Sequence, residues 1–209
     1  MKRWMLYFTM VAISLLADVN AFSQEQAEAP TFKDGDFWQF RVREWDWITQ
    51  RSNALNGLYE VSYSQGRVEV FEVIADQKAN LGRRPSELLA LLGLSKNPGF
   101  EHDLKFPLSV GQKWNHDYRT KIVGTRDLHA RRVEFQVLGV EDVTTPAGTF
   151  RAFKIVKEDW SGPTSRWVTT YYYSPDTGSV VKSYYDSSIG TFGAGGKREI
   201  ELVQFGSAR

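Results

Sequence analysis

RVEFQVLGVEDVTTPAGTFRAFKIV, residues Arg132 to Val156, is a strand, a turn and a returning strand written in side chains. Val133, Phe135 and Val137 alternate with Arg132, Glu134 and Gln136, the period of two that marks a half-buried strand. Thr145-Pro146-Ala147-Gly148 places Pro second and Gly fourth in a reversal, where Pro presets φ and Gly eases the exit. Phe153 and Ile155 then alternate with Ala152, Lys154 and Val156. Gly148 is expected to have little room for a side chain. Phe150 is expected to be buried close to Trp114 or to the Tyr171–Tyr173 strand.

The same pattern extends in both directions. Phe37 to Trp47 carries Trp38, Phe40 and Val42 on one face. Trp45 and Trp47 then fall on the polar face, which predicts a bulge or a pair of exposed aromatics. Leu58–Ser64 and Arg67–Ala75 form a hairpin about Gln65-Gly66. Trp114, His116, Tyr118, Thr120 and Ile122 form one face of a further strand. Arg166–Ser174, Ser179–Tyr185 and Lys197–Phe205 follow, with a turn at Pro175-Asp176-Thr177-Gly178 and a Gly-rich loop over Ser187–Gly196. Pro85–Leu94 (PSELLALLGL) reads as one short helix. The total is about nine strands at short spacing, which predicts a mainly β fold with antiparallel pairing: a curved sheet or half-barrel with one helix.

At the amino terminus, Lys2 and Arg3 precede an apolar run over Trp4–Leu16, too short to span a bilayer, and Val19-Asn20-Ala21 suits a processing site. The domain organisation predicted is a signal peptide over 1–21, a polar flexible leader over 22–34, and a single β-rich domain over 35–206. The predicted location is periplasmic or secreted, after cleavage near Ala21, with no transmembrane segment in the mature chain. Residues 1–21 contain two of the 26 basic residues and one of the 25 acidic ones, so the remainder is electrically balanced. A balanced chain gives no electrostatic case for nucleic acid. With no cysteine, thiol chemistry, disulfides and a lipid-modified amino-terminal cysteine are excluded.

Three phrases, Pro107-Leu108-Ser109-Val110-Gly111-Gln112-Lys113-Trp114, Val143-Thr144-Thr145-Pro146-Ala147-Gly148-Thr149-Phe150 and Tyr173-Ser174-Pro175-Asp176-Thr177-Gly178-Ser179-Val180-Val181-Lys182, together resemble the carboxyl-terminal half of the TapB-like secreted bacterial proteins. The resemblance covers roughly residues 100–205. It implies an exported β-sheet fold, a curved sheet of the lipoprotein-carrier (LolA-like) kind, and no reaction. Each phrase also has a structural reading: Pro and Gly at a reversal with an aromatic to bury beside it.

The sequence carries no constellation for catalysis. There is no Gly-x-Ser-x-Gly frame and no His-x-x-x-His or His-x-His. His102, His116 and His129 are scattered, so no metal and no cofactor are expected. Glu141 and Glu158 are carboxylates that a hydrolase of envelope polysaccharide could use. The aromatics exceed what one sheet face needs. Trp45, Trp47, Tyr172 and Tyr184 are the candidates for ligand contact. The predicted role is a non-catalytic envelope module that binds an apolar small molecule or an envelope protein partner on a curved sheet, with the hydrolase as rival. A membrane barrel is disfavoured, because strands such as Ala130–Val137 offer too narrow an apolar band.

Overall fold

In a computed structural model of the chain, the residues described are 25–46, 56–75, 77–80, 104–121, 128–161, 165–186 and 196–207. They form twelve strands: β1 (Gln26–Ala27), β2 (Asp36–Asp46), β3 (Gly57–Ser64), β4 (Arg67–Ile74), β5 (Gln77–Asn80), β6 (Leu108–Ser109), β7 (Lys113–Lys121), β8 (Leu128–Thr145), β9 (Gly148–Ser161), β10 (Ser165–Ser174), β11 (Ser179–Asp186) and β12 (Gly196–Ser207). Ten of them make one antiparallel sheet in the order β5-β4-β3-β2-β12-β11-β10-β9-β8-β7. Among the described residues the end strands β5 and β7 do not pair, so the sheet is open rather than a closed barrel. The tenth strand is β5, whose polar QKAN carries no alternation to read. No helix occurs among the described residues; the segment Pro85–Leu94 lies outside them, as do the signal segment and the Ser187–Gly195 part of the Gly-rich loop.

Alternation assigns the two faces. Tyr59 and Val61, then Trp38, Phe40 and Val42, Ile200 and Leu202, Tyr171 and Tyr173, Phe153 and Ile155, and Val133, Phe135 and Val137 are all buried and share the inner face. Their removal from water drives folding at about 1.5–3 kcal/mol for each large side chain. Part of this face is covered by the chain's own segments. Leu104 and Leu108 are buried, and Phe106 meets Tyr173 edge-on at 5.1 Å. The polar stretch read as a leader also contributes: β1 pairs with β6 through Ala27 and Leu108, and Phe32 packs on Trp38 at 5.3 Å and Tyr63 at 5.8 Å. Trp38 donates its indole N–H to the Thr177 carbonyl at 2.8 Å.

The sheet is curved. Strands β9 and β12 are three places apart in the order, roughly 14 Å on a flat sheet. Yet the backbone N–H of Ala147, at the β8–β9 turn, donates to the Leu202 carbonyl on β12 at 3.3 Å. Phe150 accordingly packs on Phe205, ring centroids 5.8 Å apart. It is buried as expected, and its recorded ring contact is with this neighbour rather than with Trp114 or Tyr171–Tyr173. The room expected to be lacking at Gly148 is present: an added Cβ would meet only the Phe150 ring, at 3.6 Å. The constraint is a backbone φ of +138°.

Candidate functional site

The four aromatics singled out in the sequence divide. Tyr172 on β10 and Tyr184 on β11 do come together, on the outer face, where Tyr172 is opposite Lys182 and Tyr184 opposite Thr170. They are diagonal neighbours, about 7–8 Å apart along the sheet. Trp45 has an unbroken backbone pairing with Lys197; its side chain, and all of Trp47, lie outside the described residues. Of the two alternatives at Trp45 and Trp47, a bulge is not present at Trp45, and the exposure of the two rings lies outside the described residues; the β2–β12 irregularity is elsewhere, between Leu202 and Gln204, opposite Phe40 and Gln39.

Around the two tyrosines the outer face is a charge network. Arg43 on β2 pairs with Glu199 at 3.2 Å and with Glu201; Lys182 on β11 pairs with Glu199 at 3.4 Å and Glu201 at 2.9 Å. Two cations thus bridge two carboxylates across three strands. Burial alone would raise the Glu201 carboxyl, but the hydrogen bond and charge of Lys182, with Arg43 behind it, hold it below its ordinary value. Tyr184, 47% exposed, has its phenol pushed up by burial first and then by Glu199. Its ring lies 5.7 Å from the Lys182 ammonium, while Lys154 stands 5.5 Å from the Tyr172 ring and 3.3 Å from Glu141. Both rings are therefore tied into ion pairs, which limits what they can offer a ligand.

The carboxylates of the hydrolase reading are dispersed. Glu141 is opposite Ala152 on β9, six residues from Glu158. At about 3.3 Å per residue that is roughly 20 Å, against the 5–9.5 Å or so that paired glycosidase carboxylates need. Glu158 is paired with Arg166. Among the described residues no three His, Asp or Glu side chains gather as a metal site would require.

A denser cluster lies on the inner face towards the β7 edge. Trp114, His116 and Tyr118 are inward positions of β7, beside Phe135, Val133 and Arg131 on β8 and Lys157 and Asp159 on β9. Trp114 stacks on Phe135 with centroids 4.9 Å apart and planes at 4°. His116 lies 6.0 Å from the same ring, and the Lys157 ammonium 5.6 Å from it. Lys157 is only 7% exposed. Next to them Asp159 accepts hydrogen bonds from Arg131 Nε at 3.0 Å and from the Tyr118 hydroxyl at 3.1 Å. The Arg131 guanidinium also lies 4.4 Å from the Trp167 ring. Two buried nitrogens in this group, Trp114 Nε1 and His116 Nε2, have no hydrogen-bond partner. Chemically the arrangement offers donors, positive charge and aromatic surface.

Reading the sequence for exposed aromatics passed over this corner. The available signal was phase: Arg131, Lys157 and Asp159 occupy inward positions of strands whose other inward residues are apolar. A charge in register with a core stripe is costly unless something holds it.

No protein-family model matches the chain, and no curated protein matches it. Among solved structures it is similar to an inferred exported protein with YmcC-like fold from Bacteroides fragilis, 11% identical, with a TM-score of 0.40 over 87% of this chain and 100% of that one. The hypothetical lipoprotein YmcC of Escherichia coli is 13% identical, with a TM-score of 0.42 over 84% of this chain and 90% of that one. An inferred lipoprotein from Parabacteroides distasonis is 12% identical, with a TM-score of 0.41 over 88% of this chain and 100% of that one.

Proposed function

We propose that this chain is an exported, non-catalytic envelope protein that holds an apolar ligand on the inner face of its curved sheet. The observation that carries this reading is the Trp114–Phe135–His116–Lys157 corner. Aromatic surface, a buried ammonium and two unpartnered nitrogens occupy the inner side of a bent sheet, at the end away from the β8–β9 turn. Leaving buried nitrogens without partners weakens a fold, so the pair at Trp114 and His116 calls for a reason, and a ligand that accepts from them supplies one. The signal-like residues 1–21 supply the export half of the proposal, and the resemblance to TapB-like secreted proteins points the same way.

Native mass spectrometry of the protein purified from its host under non-denaturing conditions tests the reading. A bound small molecule released on denaturation is the expected result. A bare polypeptide mass from several preparations, combined with turnover of a cell-wall glycan that disappears in Glu158→Gln, would instead establish the hydrolase.

A further inference from the structure

We propose that the outer face of β7, β8 and β9 binds a neutral saccharide. This site is on the side of the sheet opposite the inner-face ligand and stands independently of it. A groove of about 490 Å³ runs over these strands, within the roughly 300–1,000 Å³ usual for small-ligand sites. Two neighbouring cross-strand rows line it, Asn115–Glu134–Glu158 and Lys113–Gln136–Val156. Leu138, the extra residue between Val137 and Gly139, borders them and is 49% exposed. Glu134 and Glu158 are direct cross-strand partners, which puts their Cβ atoms about 4.5–5.5 Å apart, and like charges in that register oppose folding. Each is turned onto its own arginine, Glu134 onto Arg132 at 2.7 Å and Glu158 onto Arg166. Exposed pairs of this kind return little stability. A merely solvated face gains nothing from two glutamates in register; a face that presents acceptors to a ligand does.

The mixture of groups selects the ligand. Ionised Glu134 and Glu158 only accept hydrogen bonds, Lys113 and Arg132 only donate, and the Asn115 and Gln136 amides do both. A ligand made of acceptors, such as a phosphate, would meet the two carboxylates; one made of donors, such as an amine, would meet the two cations. The two charges of each sign cancel within the groove, so no net field favours either. A hydroxyl donates and accepts at once, and a ring carrying several of them complements all six groups. Its C–H face finds apolar surface on Leu138 and the half-buried Val156. A hydroxyl donated to a carboxylate is a charge-assisted bond, roughly twice as strong as a neutral one, which gives the opposed glutamates their use.

The test is an array of gluco-, galacto-, manno- and xylo-oligosaccharides, oligogalacturonates and chitosan oligomers, followed by titration calorimetry of the exported chain with the best-retained sugars. A neutral oligosaccharide should bind most tightly. Glu134→Gln and Glu158→Gln should each weaken it by about tenfold while the melting temperature stays close to that of the wild type, a combination that a purely structural role would not produce. Leu138→Ser should weaken it as well, by removing the apolar contact. Retention of no neutral sugar, tighter binding of the acidic or the amino sugars, or unchanged affinity in both glutamate variants overturns the proposal and leaves the inner-face reading standing, since that reading is tested by a different ligand on the other face. Loss of binding in Tyr172→Ala with Tyr184→Ala, rather than in the groove variants, moves the site to β10 and β11 and also overturns it. Reducing ends released by the wild type and by neither glutamate variant would make Glu134 and Glu158 a cutting pair, and would overturn both this proposal and the non-catalytic reading.

Discussion

Gly148 and Phe150 show how differently two neighbouring residues can matter. At Gly148 there is ordinary van der Waals room, and the obstacle is a φ of +138°, which L side chains rarely adopt. A clash would grow with side-chain size, whereas backbone strain would not. Gly148→Ala and Gly148→Val should therefore lower stability by similar amounts, about 1–3 kcal/mol each, in denaturant melts. A Val variant far worse than Ala would return the explanation to crowding. Phe150 is buried against Phe205, so Phe150→Ala should cost roughly 3–5 kcal/mol. Ser174 gives the opposite case. It is fully buried and its hydroxyl has no partner, so replacing it with an apolar residue of similar size removes an unsatisfied group. Ser174→Ala should melt at or above the wild-type temperature; a clear drop would mean that the hydroxyl is satisfied in solution.

The network across β2, β12 and β11 makes stability depend on pH through an element rather than a residue. Glu201 titrates below its ordinary value in the folded chain, so its contribution is present above the unfolded value of 4.5 and fades as pH falls through the folded one. Glu201→Gln should thus melt lower than wild type at pH 7, and the two curves should converge below about pH 4. Parallel curves down to pH 3 would mean that the pairs with Lys182 and Arg43 contribute nothing. This network also marks the limit of what the sequence made legible. Strands declared themselves wherever alternation ran unbroken, as in Trp38-Phe40-Val42 or Val133-Phe135-Val137, because each inward residue is chosen by the same core. The hairpin at Gln65-Gly66 was legible too, since both residues take a positive φ, 51° and 74°. The pairing of β2 with β12 was not, because residues about 150 positions apart leave no local trace of their register. The inner-face corner was legible only in part: the phase of Arg131, Lys157 and Asp159 puts them inward on their own strands, but that they meet Trp114, His116 and Trp167 shows only when four strands are set side by side.

At the scale of the molecule, the places where alternation fails line up. One strand carries an extra residue at Leu138 on β8, at Val181 on β11 and at Val203 on β12. Leu138 sits beside Lys154 and Ile155, whose partners on β10 are Tyr172 and Tyr171; Lys182 and Val181 follow on β11, and Glu201 to Val203 on β12. The three bulges therefore cross the sheet as one crease. Bulges bend a strand and increase its twist, and the crease lies where the β8–β9 hairpin must turn to bring Ala147 to Leu202. It also accounts for residues that no period-two reading places: adjacent Val180 and Val181 are both buried, and Leu138, an apolar residue in a core strand, is 49% exposed. Leu138 should then matter as a position and not as a side chain. Leu138→Ser should change stability by no more than about 0.5 kcal/mol, the range of ordinary surface substitutions. Deleting Leu138 leaves every β8–β9 partner in place, Val137 with Ile155 and Gly139 with Lys154, and removes only the extra residue, so its cost should appear as lost curvature rather than as a changed register. The Ala147 amide should lose its protection from hydrogen exchange in the deletion variant and keep it in the serine variant. If the deletion melts with the serine variant and Ala147 stays protected, the bulge does not set the bend, and the curvature must come from the segments packed on the inner face.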